Sequence, residues 1–131
     1  MDPAVLARVP EAVLGGQGLF GTTGAVHAAA SVDADGAVTL TREDVGRHNA
    51  VDKVVGALLL AGELPATGRA LFVSGRASVE MVQKAWAAGF GSLIAVSAPT
   101  ALAVHAARRA GLTLVGFVRV DRYNIYADDG S

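Results

Sequence analysis

The segment ALFVSGRASVEMVQKAWAAGFGSLIAVS, residues 70–97, decides the fold. It starts with a short apolar run, Ala70–Val73, passes through a polar loop, and then shows apolar residues at helical spacing over residues 78–88. Gly89 closes the helical pattern, and a second apolar run occupies residues 92–97. A strand, a helix and a strand joined by short loops are typical of a right-handed parallel crossover. Uninterrupted apolar runs are typical of strands that are buried on both faces.

The same alternation extends in both directions along the chain. The pattern therefore predicts an α/β protein, with residues 1–131 as one domain and a loose tail at 128–131. We expect a three-layer αβα sandwich with a mixed sheet of about five strands and an antiparallel hairpin at one side. The further predicted elements are a weak helix at 10–19, strands at 25–32 and 37–41 around the turn Asp33-Ala34-Asp35-Gly36, a helix at 49–61, a helix from Pro99 to Arg109, a strand at 113–118 and a short edge strand at 123–126.

Composition narrows the class of protein. The 131 residues are 52% hydrophobic and 18% charged, with 11 basic and 12 acidic residues, so there is no general nucleic-acid-binding footprint. No apolar run approaches the roughly 20 residues that a membrane-spanning helix requires. The first residues lack the layout of a signal peptide, so we expect a cytoplasmic protein. The absence of cysteine excludes disulfides, Cys-ligated metals and thiol chemistry within these residues.

Polar residues concentrate where predicted strands give way to the next segment. Ligands of open α/β folds bind beyond the carboxyl ends of the strands, near helix N-termini that favour anions. Small residues, hydroxyls and arginines at four such junctions predict a site for a phosphate-bearing ligand. Each junction taken alone would also fit ordinary helix caps and turns. The four junctions are residues 42–49, 74–78, 97–100 and 119–122, and their arginines include Arg47, Arg76, Arg119 and Arg122.

Three further patterns each resemble a known functional motif, but their surroundings in the sequence do not support that function. Gly16-Gln17-Gly18-Leu19-Phe20-Gly21 matches a dinucleotide-binding pattern, but it does not lie between a strand and a helix. Ser74-Gly75 resembles a nucleophile elbow, yet Phe72 stands where that motif has glycine. His27, His48 and His105 lie on different elements, which disfavours a zinc site, and His27 in its apolar strand is predicted to be a core histidine.

Five collinear blocks of the sequence resemble the FdhD family of formate dehydrogenase accessory sulfurtransferases. They cover roughly residues 10–127, and two of them are about a dozen residues long, so a chance match is excluded in practice. The blocks are REDVGRHNAVDK at 42–53, VSGRASVEMVQKA at 73–85, AVSAPT at 95–100, LTLVGF at 112–117 and NIY at 124–126.

The resemblance implies a function in molybdenum cofactor biosynthesis. It implies a protein that takes persulfide sulfur from a cysteine desulfurase and passes it to the molybdenum (or tungsten) bis-pterin guanine dinucleotide cofactor before insertion into formate dehydrogenase. It also implies a cytidine deaminase-like fold, a homodimer, and a nucleotide-binding site for which GDP is a mimic of one cofactor end. Combined with the four junctions, it gives these expected cofactor-binding residues: Gly46, Arg47, His48, Asn49, Ser74, Gly75, Arg76, Ser78, Ser97, Thr100, Phe117, Val118, Arg119, Val120, Asp121 and Arg122.

The chain departs from the family pattern in two places. Thr23-Gly24-Ala25 stands where the family usually has Thr-Gly-Gly, and these 131 residues do not include the Cys-x-x-Cys loop that the resemblance implies for an N-terminal region. We therefore expect the cofactor-binding C-terminal part of an FdhD-type protein, inactive in sulfur transfer by itself, with no catalytic residue and no metal ligand. A non-catalytic domain that docks on formate dehydrogenase or the desulfurase is the alternative. A deaminase-like enzyme is disfavoured, because its zinc site requires cysteines.

Overall fold

The computed structural model describes residue 5, residues 8–9, residues 27–119 and residues 122–128. Its described part contains six strands and three helices, numbered here in chain order. They are β1 (His27–Val32), β2 (Val38–Asp44), α1 (Arg47–Leu60), β3 (Ala70–Val73), α2 (Val79–Ala87), β4 (Ser92–Ala95), α3 (Ala101–Ala110), β5 (Thr113–Arg119) and β6 (Arg122–Ala127).

All six strands form one mixed sheet in the order β2-β1-β3-β4-β5-β6. The central strands β3, β4 and β5 are parallel, whereas β1 runs antiparallel to both β2 and β3, and β6 runs antiparallel to β5. Because the direction reverses twice between β3 and β2, the strands β2, β3, β4 and β5 all end on the same side of the sheet. We call this side the carboxyl rim.

The three helices cover one face of the sheet. Each contributes buried residues to one apolar cluster, among them Val54 from α1, Met81 from α2 and Ala107 from α3, together with the sheet residues Leu71 and Leu93. Alternate residues of the same strands, such as Phe72 and Ile94, belong to a second buried cluster on the opposite face, as the two-residue period of a strand requires. Val9 is buried in that second cluster.

The α/β class and the mixed sheet with a hairpin at one side are confirmed, with six strands instead of about five. The strand β3 has the predicted bounds, and α2 lies within its predicted range, with Ser78 as N-cap. The predicted helix at 10–19 and the motif at 16–21 lie outside the described residues. The likeness to cytidine deaminases stays a prediction.

The main correction to the predicted fold concerns the first three residues of the polar segment 42–49. Residues 42–44 were predicted to lie outside the hairpin, but they complete β2, where Asp44 pairs with His27 and Arg42 with Ala29. An edge strand accepts such polar residues, because one of its sides meets solvent.

No helix in the described part of the chain is both long and apolar enough to cross a bilayer.

Candidate functional site

The topology explains why distant segments meet at the carboxyl rim. The loops that follow β2, β3 and β4 all leave the sheet on this side and lead into the N-termini of α1, α2 and α3. The strand β1 is antiparallel to β3, with Ala29 opposite Val73, so the first residue of β1 lies beside the loop that follows β3. His27 therefore lies at the rim as the first residue of its strand, whereas the other rim segments follow the last residues of theirs.

A cavity of about 360 Å³ lies at this rim. Its walls come from β1, from the start of α1, from the loop between β3 and α2, and from the start of α3. The lining residues are His27, Arg47, Gly75, Arg76, Ser78 and Thr100. Small side chains and hydroxyls leave room at its centre, while two guanidinium groups stand at its wall.

The two arginines of the cavity lack close ion-pair partners in the described part of the chain, although the positive charge of Arg47 helps to lower the pKa of Glu80. Neither Arg47 nor Arg76 forms a salt bridge with any described residue, whereas Lys53, Arg69 and Lys84 each have a carboxylate partner. Arg47 is moreover the first residue of α1, where the positive end of the helix dipole disfavours a cation. An arginine in such a place is stabilised when an anion lies next to it.

Three helix N-termini point toward the same region. At α1, the N-cap Gly46 offers no side-chain cap and the first turn holds no acidic residue, so the free amides of this turn keep their capacity for an anion. At α2, Ser78 Oγ accepts the Met81 amide at 3.4 Å, and at α3, Thr100 Oγ1 accepts the Ala103 amide at 3.1 Å. The Thr100 hydroxyl retains its proton as a donor, whereas that of Ser78 is engaged with the Glu80 carboxylate.

The acidic groups near the rim are engaged elsewhere. Asp44 forms a 2.8 Å salt bridge with Lys53 and accepts hydrogen bonds from the Gly46 amide and from Asn49. The bond from Lys53 and the bond from Gly46 lower the pKa of Asp44 to about 2. The pKa of Glu80 is lowered by the hydrogen bond from its own backbone amide and by that from Ser78. These carboxylates anchor the starts of α1 and α2.

Two backbone hydrogen bonds join the loop after β3 to the loop after β4. The Val96 amide donates to the Gly75 carbonyl at 3.3 Å, and the Thr100 amide donates to the Ala77 carbonyl at 3.2 Å. Ser97, in the second loop, has a φ of 128°, which non-glycine residues rarely adopt. The two loops therefore form one connected wall of the cavity.

The structure separates the predicted binding residues into groups. Arg47, Gly75, Arg76, Ser78 and Thr100 line the cavity, whereas Gly46, His48, Asn49, Ser74 and Ser97 are not among its lining residues. Asn49 is bonded to Asp44, and Nε2 of His48 is buried without a hydrogen-bond partner in the described part.

Ser74 is a predicted binding residue that does not line the cavity. Its hydroxyl accepts the Ala28 amide at 2.9 Å, and its own amide donates to the Ala28 carbonyl at 3.0 Å. Ser74 is buried, and its two hydrogen bonds extend the pairing of β1 with β3.

The last predicted segment, Phe117, Val118, Arg119, Val120, Asp121 and Arg122, is described only in part. The backbone places Phe117 to Arg119 on β5, beyond the end of its pairing with β4, and Arg122 at the start of β6. Val120 and Asp121 lie outside the described residues. The segment thus leaves β5 at the carboxyl rim.

His27 is the cavity residue that sequence reasoning missed. Its apolar neighbours in β1 favoured a core histidine, but the side chain is only partly buried and lies on the cavity wall. The signal that would have found it is its place at the start of a strand antiparallel to β3. Among the described residues no three or more His, Cys, Asp or Glu side chains are grouped as a metal site.

Fold and cavity together define a class: an α/β protein whose carboxyl rim brings arginines and helix N-termini together around one cavity. The model of the FdhD/NarQ family matches residues 1–131, and the chain belongs to that family. It is similar to the sulfur carrier protein FdhD of Streptomyces avermitilis, with 50% identity over 98% of this chain and 46% of the relative. FdhD of Nocardia farcinica is 53% identical over 94% of this chain and 44% of the relative.

A solved structure agrees with this assignment. A crystal structure described as that of a formate dehydrogenase accessory protein from Desulfotalea psychrophila matches with a TM-score of 0.84 and 32% identity. The match covers 95% of this chain and 53% of that protein. The chain thus spans about half the length of the relatives that it matches.

Proposed function

We propose that this chain is the cofactor-binding part of an FdhD-type sulfur carrier, and that the rim cavity takes one phosphate-bearing end of the molybdenum bis-pterin guanine dinucleotide cofactor. In this proposal the cofactor is the substrate that receives sulfur on its way to formate dehydrogenase. The family and the names of the relatives support the accessory role.

The observation that carries the proposal is a cavity at which three helices begin. Arg47 and Arg76 line it, and neither forms a salt bridge with a described residue. A pyrophosphate carries several acceptor oxygens and negative charge, which match guanidinium forks and free backbone amides. Arg47 and Arg76 would hold the phosphates, and the Thr100 hydroxyl would donate to them. The absence of a Cβ at Gly75 leaves space for the ligand.

The sulfur itself must be carried by another group. A persulfide requires a cysteine thiolate, and these 131 residues contain no cysteine. In this proposal, the sulfur comes from a cysteine desulfurase through a thiol outside these residues. The chain contributes the site at which the acceptor cofactor is held.

We propose further that the protein acts in the cytoplasm as a homodimer. Five large apolar side chains with at least 60% exposure support an association surface: Val45, Leu59, Leu60, Trp86 and Leu102. A contact that buries several of them would gain roughly 25 cal/mol for each Å² of apolar surface removed from water. Light scattering tests the dimer; a monomer at micromolar concentration would contradict it.

Calorimetry with GDP and with ADP tests the site. We expect saturable binding of GDP and weaker binding of ADP, since GDP reproduces one end of the cofactor. The Arg76→Ala variant removes a charged hydrogen bond of about 1.5–3 kcal/mol, so its Kd for GDP should rise roughly 10-fold to 150-fold. Arg42→Ala is the matched control, because Arg42 is exposed, its guanidinium donates to the Thr41 carbonyl at 2.8 Å, and it is not among the residues that line the rim cavity. Absence of heat with GDP, or equal binding of ADP, would exclude the proposal.

A non-catalytic docking domain is the second candidate function. The observation that favours it is the exposed Trp86, which lines an open groove of about 370 Å³ between α2 and α3. Tryptophan is enriched among the residues that dominate binding energy in protein interfaces. Retention of apo-formate dehydrogenase by the chain, lost in Trp86→Ala and accompanied by no GDP binding, would support this candidate over the first.

A further inference from the structure

His27 contributes an imidazole to a cavity whose other charged groups are guanidinium ions. The ring belongs to β1, and its strand neighbour Ala29 is part of the apolar cluster under the helices, so the side chain points toward the helical layer. No hydrogen bond or ion pair joins the side chain of His27 to any described residue. Its nitrogens therefore remain available to a ligand in the cavity.

Gly75 keeps the imidazole accessible. A Cβ atom built at Gly75 would lie 3.7 Å from Nδ1 and 4.0 Å from Cε1 of His27. These distances are ordinary van der Waals contacts, so an alanine here fits without displacing the ring. The side chain would nevertheless occupy the space between the ring and the loop, which is the space that a ligand needs.

The charged groups around His27 come from every neighbouring element. Arg47 faces the cavity from α1 and Arg76 from the loop after β3, while α2 contributes Ser78, which is bonded to the Glu80 carboxylate, and α3 contributes the Thr100 hydroxyl. Asp44, the cross-strand partner of His27 on β2, is bound to Lys53. The cavity therefore has permanent positive charge, and a histidine beside it can add a further positive charge when it is protonated.

We propose that His27 is a ligand-contacting residue of the cavity, that its protonated imidazole donates a hydrogen bond to the bound anion, and that the affinity for the anion rises as pH falls. This inference rests on the proposed function, since it uses the same cavity. Arginine and backbone amides donate at every pH between 6 and 8, whereas imidazole is the side chain that changes its charge in this range. His27 is thus the group of the cavity that couples binding to pH.

Calorimetry with GDP at pH 6 and pH 8 tests the inference on the whole chain. The control variant His105→Gln changes an exposed imidazole of α3 that is not part of the cavity. His27→Gln keeps a neutral hydrogen-bonding side chain and removes the titration. Protonation of the terminal phosphate of GDP affects all variants equally, so the comparison between variants cancels it. We expect the ratio of Kd at pH 8 to Kd at pH 6 to be about tenfold larger in the wild type and in His105→Gln than in His27→Gln, as for one charged hydrogen bond.

A second measurement does not depend on a variant that folds. In nitrogen-15 spectra of the histidine rings of the wild type, GDP should shift the His27 signals and leave those of His105 in place.

Gly75→Ala should keep the thermal midpoint and weaken GDP binding, because its methyl group fills the space beside the ring.

The outcomes separate the two proposals. Equal pH dependence in the wild type and in His27→Gln, or unshifted His27 ring signals with bound GDP, would overturn the role of His27 while the nucleotide site stands. Absence of GDP binding in the wild type at both pH values would overturn the proposed function, and the role of His27 with it.

Discussion

Gly116 on β5 gives the sharpest test of how the rim is built. A Cβ atom at this position would lie 2.7 Å from the Ser97 carbonyl oxygen, 2.9 Å from Cε2 of Tyr126 and 3.3 Å from Cδ of Pro99. The Ser97 oxygen is a backbone atom, so it cannot rotate away, and Ser97 already has a φ of 128°. Gly116→Ala must therefore displace the loop after β4.

The expected cost follows from this geometry. Overpacking of a close-packed site typically costs about 1–3 kcal/mol, and the contact with a backbone oxygen puts this substitution in the middle of the range, at about 2 kcal/mol. The free energy of unfolding in urea should fall by that amount. GDP affinity should also fall, because the displaced loop carries Thr100, which lines the cavity.

Gly56→Ala is the matched control for the same chemical change. Gly56 lies inside α1, and a Cβ built there meets no other atom within 4 Å. Alanine in a helix interior is more stable than glycine by about 0.5–1 kcal/mol, so this variant should be stabilised. A Gly116→Ala protein within about 0.5 kcal/mol of the wild type would refute the reasoning, because it would show that the loop yields without cost.

Two further predictions concern stability. Asp44 has a folded-state pKa of about 2, below the ordinary value of about 3.9 in an unfolded chain, so its contribution is complete above about pH 4 and is lost as pH falls toward 2. The stability difference between the wild type and Asp44→Asn should therefore shrink across that interval in acid titrations of unfolding; a difference that is constant with pH would contradict it. Phe72→Ala should lower the free energy of unfolding in urea by about 3–5 kcal/mol, since the ring is fully buried, whereas Gln83→Ala, at an exposed position of α2, should change it by less than about 0.5 kcal/mol. A similar loss in both variants would show that burial does not set the cost.

The elements that sequence predicted well are those whose local signals agree. In β3 the apolar run is bounded by polar residues at both ends, and α2 begins at a serine that caps it. The end of β2 was missed because Arg42 and Asp44 carry no apolar alternation, and their strand geometry depends on pairing with β1. Pairing of an edge strand is a tertiary property that a local pattern does not encode.

The cavity residues divide in the same way, into those that a local pattern predicts and those whose position depends on strand pairing. The rule that ligands bind beyond the carboxyl ends of strands selected Arg47, Arg76 and Thr100 from sequence alone. The rule applies to parallel strands, so it passes over His27, which enters the rim at the start of an antiparallel strand. It also selected Ser74, whose hydroxyl instead bonds the Ala28 amide, 46 residues earlier in the chain. Side-chain direction at a junction requires the partner strand to be known.

A purely structural role for the cavity arginines is hard to reconcile with their surroundings. A structural arginine is typically held by a carboxylate, as Arg69 is by Glu63 at 2.7 Å. The carboxylates near the rim are committed otherwise: Asp44 to Lys53, and Glu80 to its own amide and Ser78. Arg47 also stands at the helix end where a cation is disfavoured. The described part of the fold thus leaves two guanidinium groups without a salt bridge at one place, with only the more distant Glu80 charge acting on Arg47, and an anionic ligand bound there would supply a direct partner.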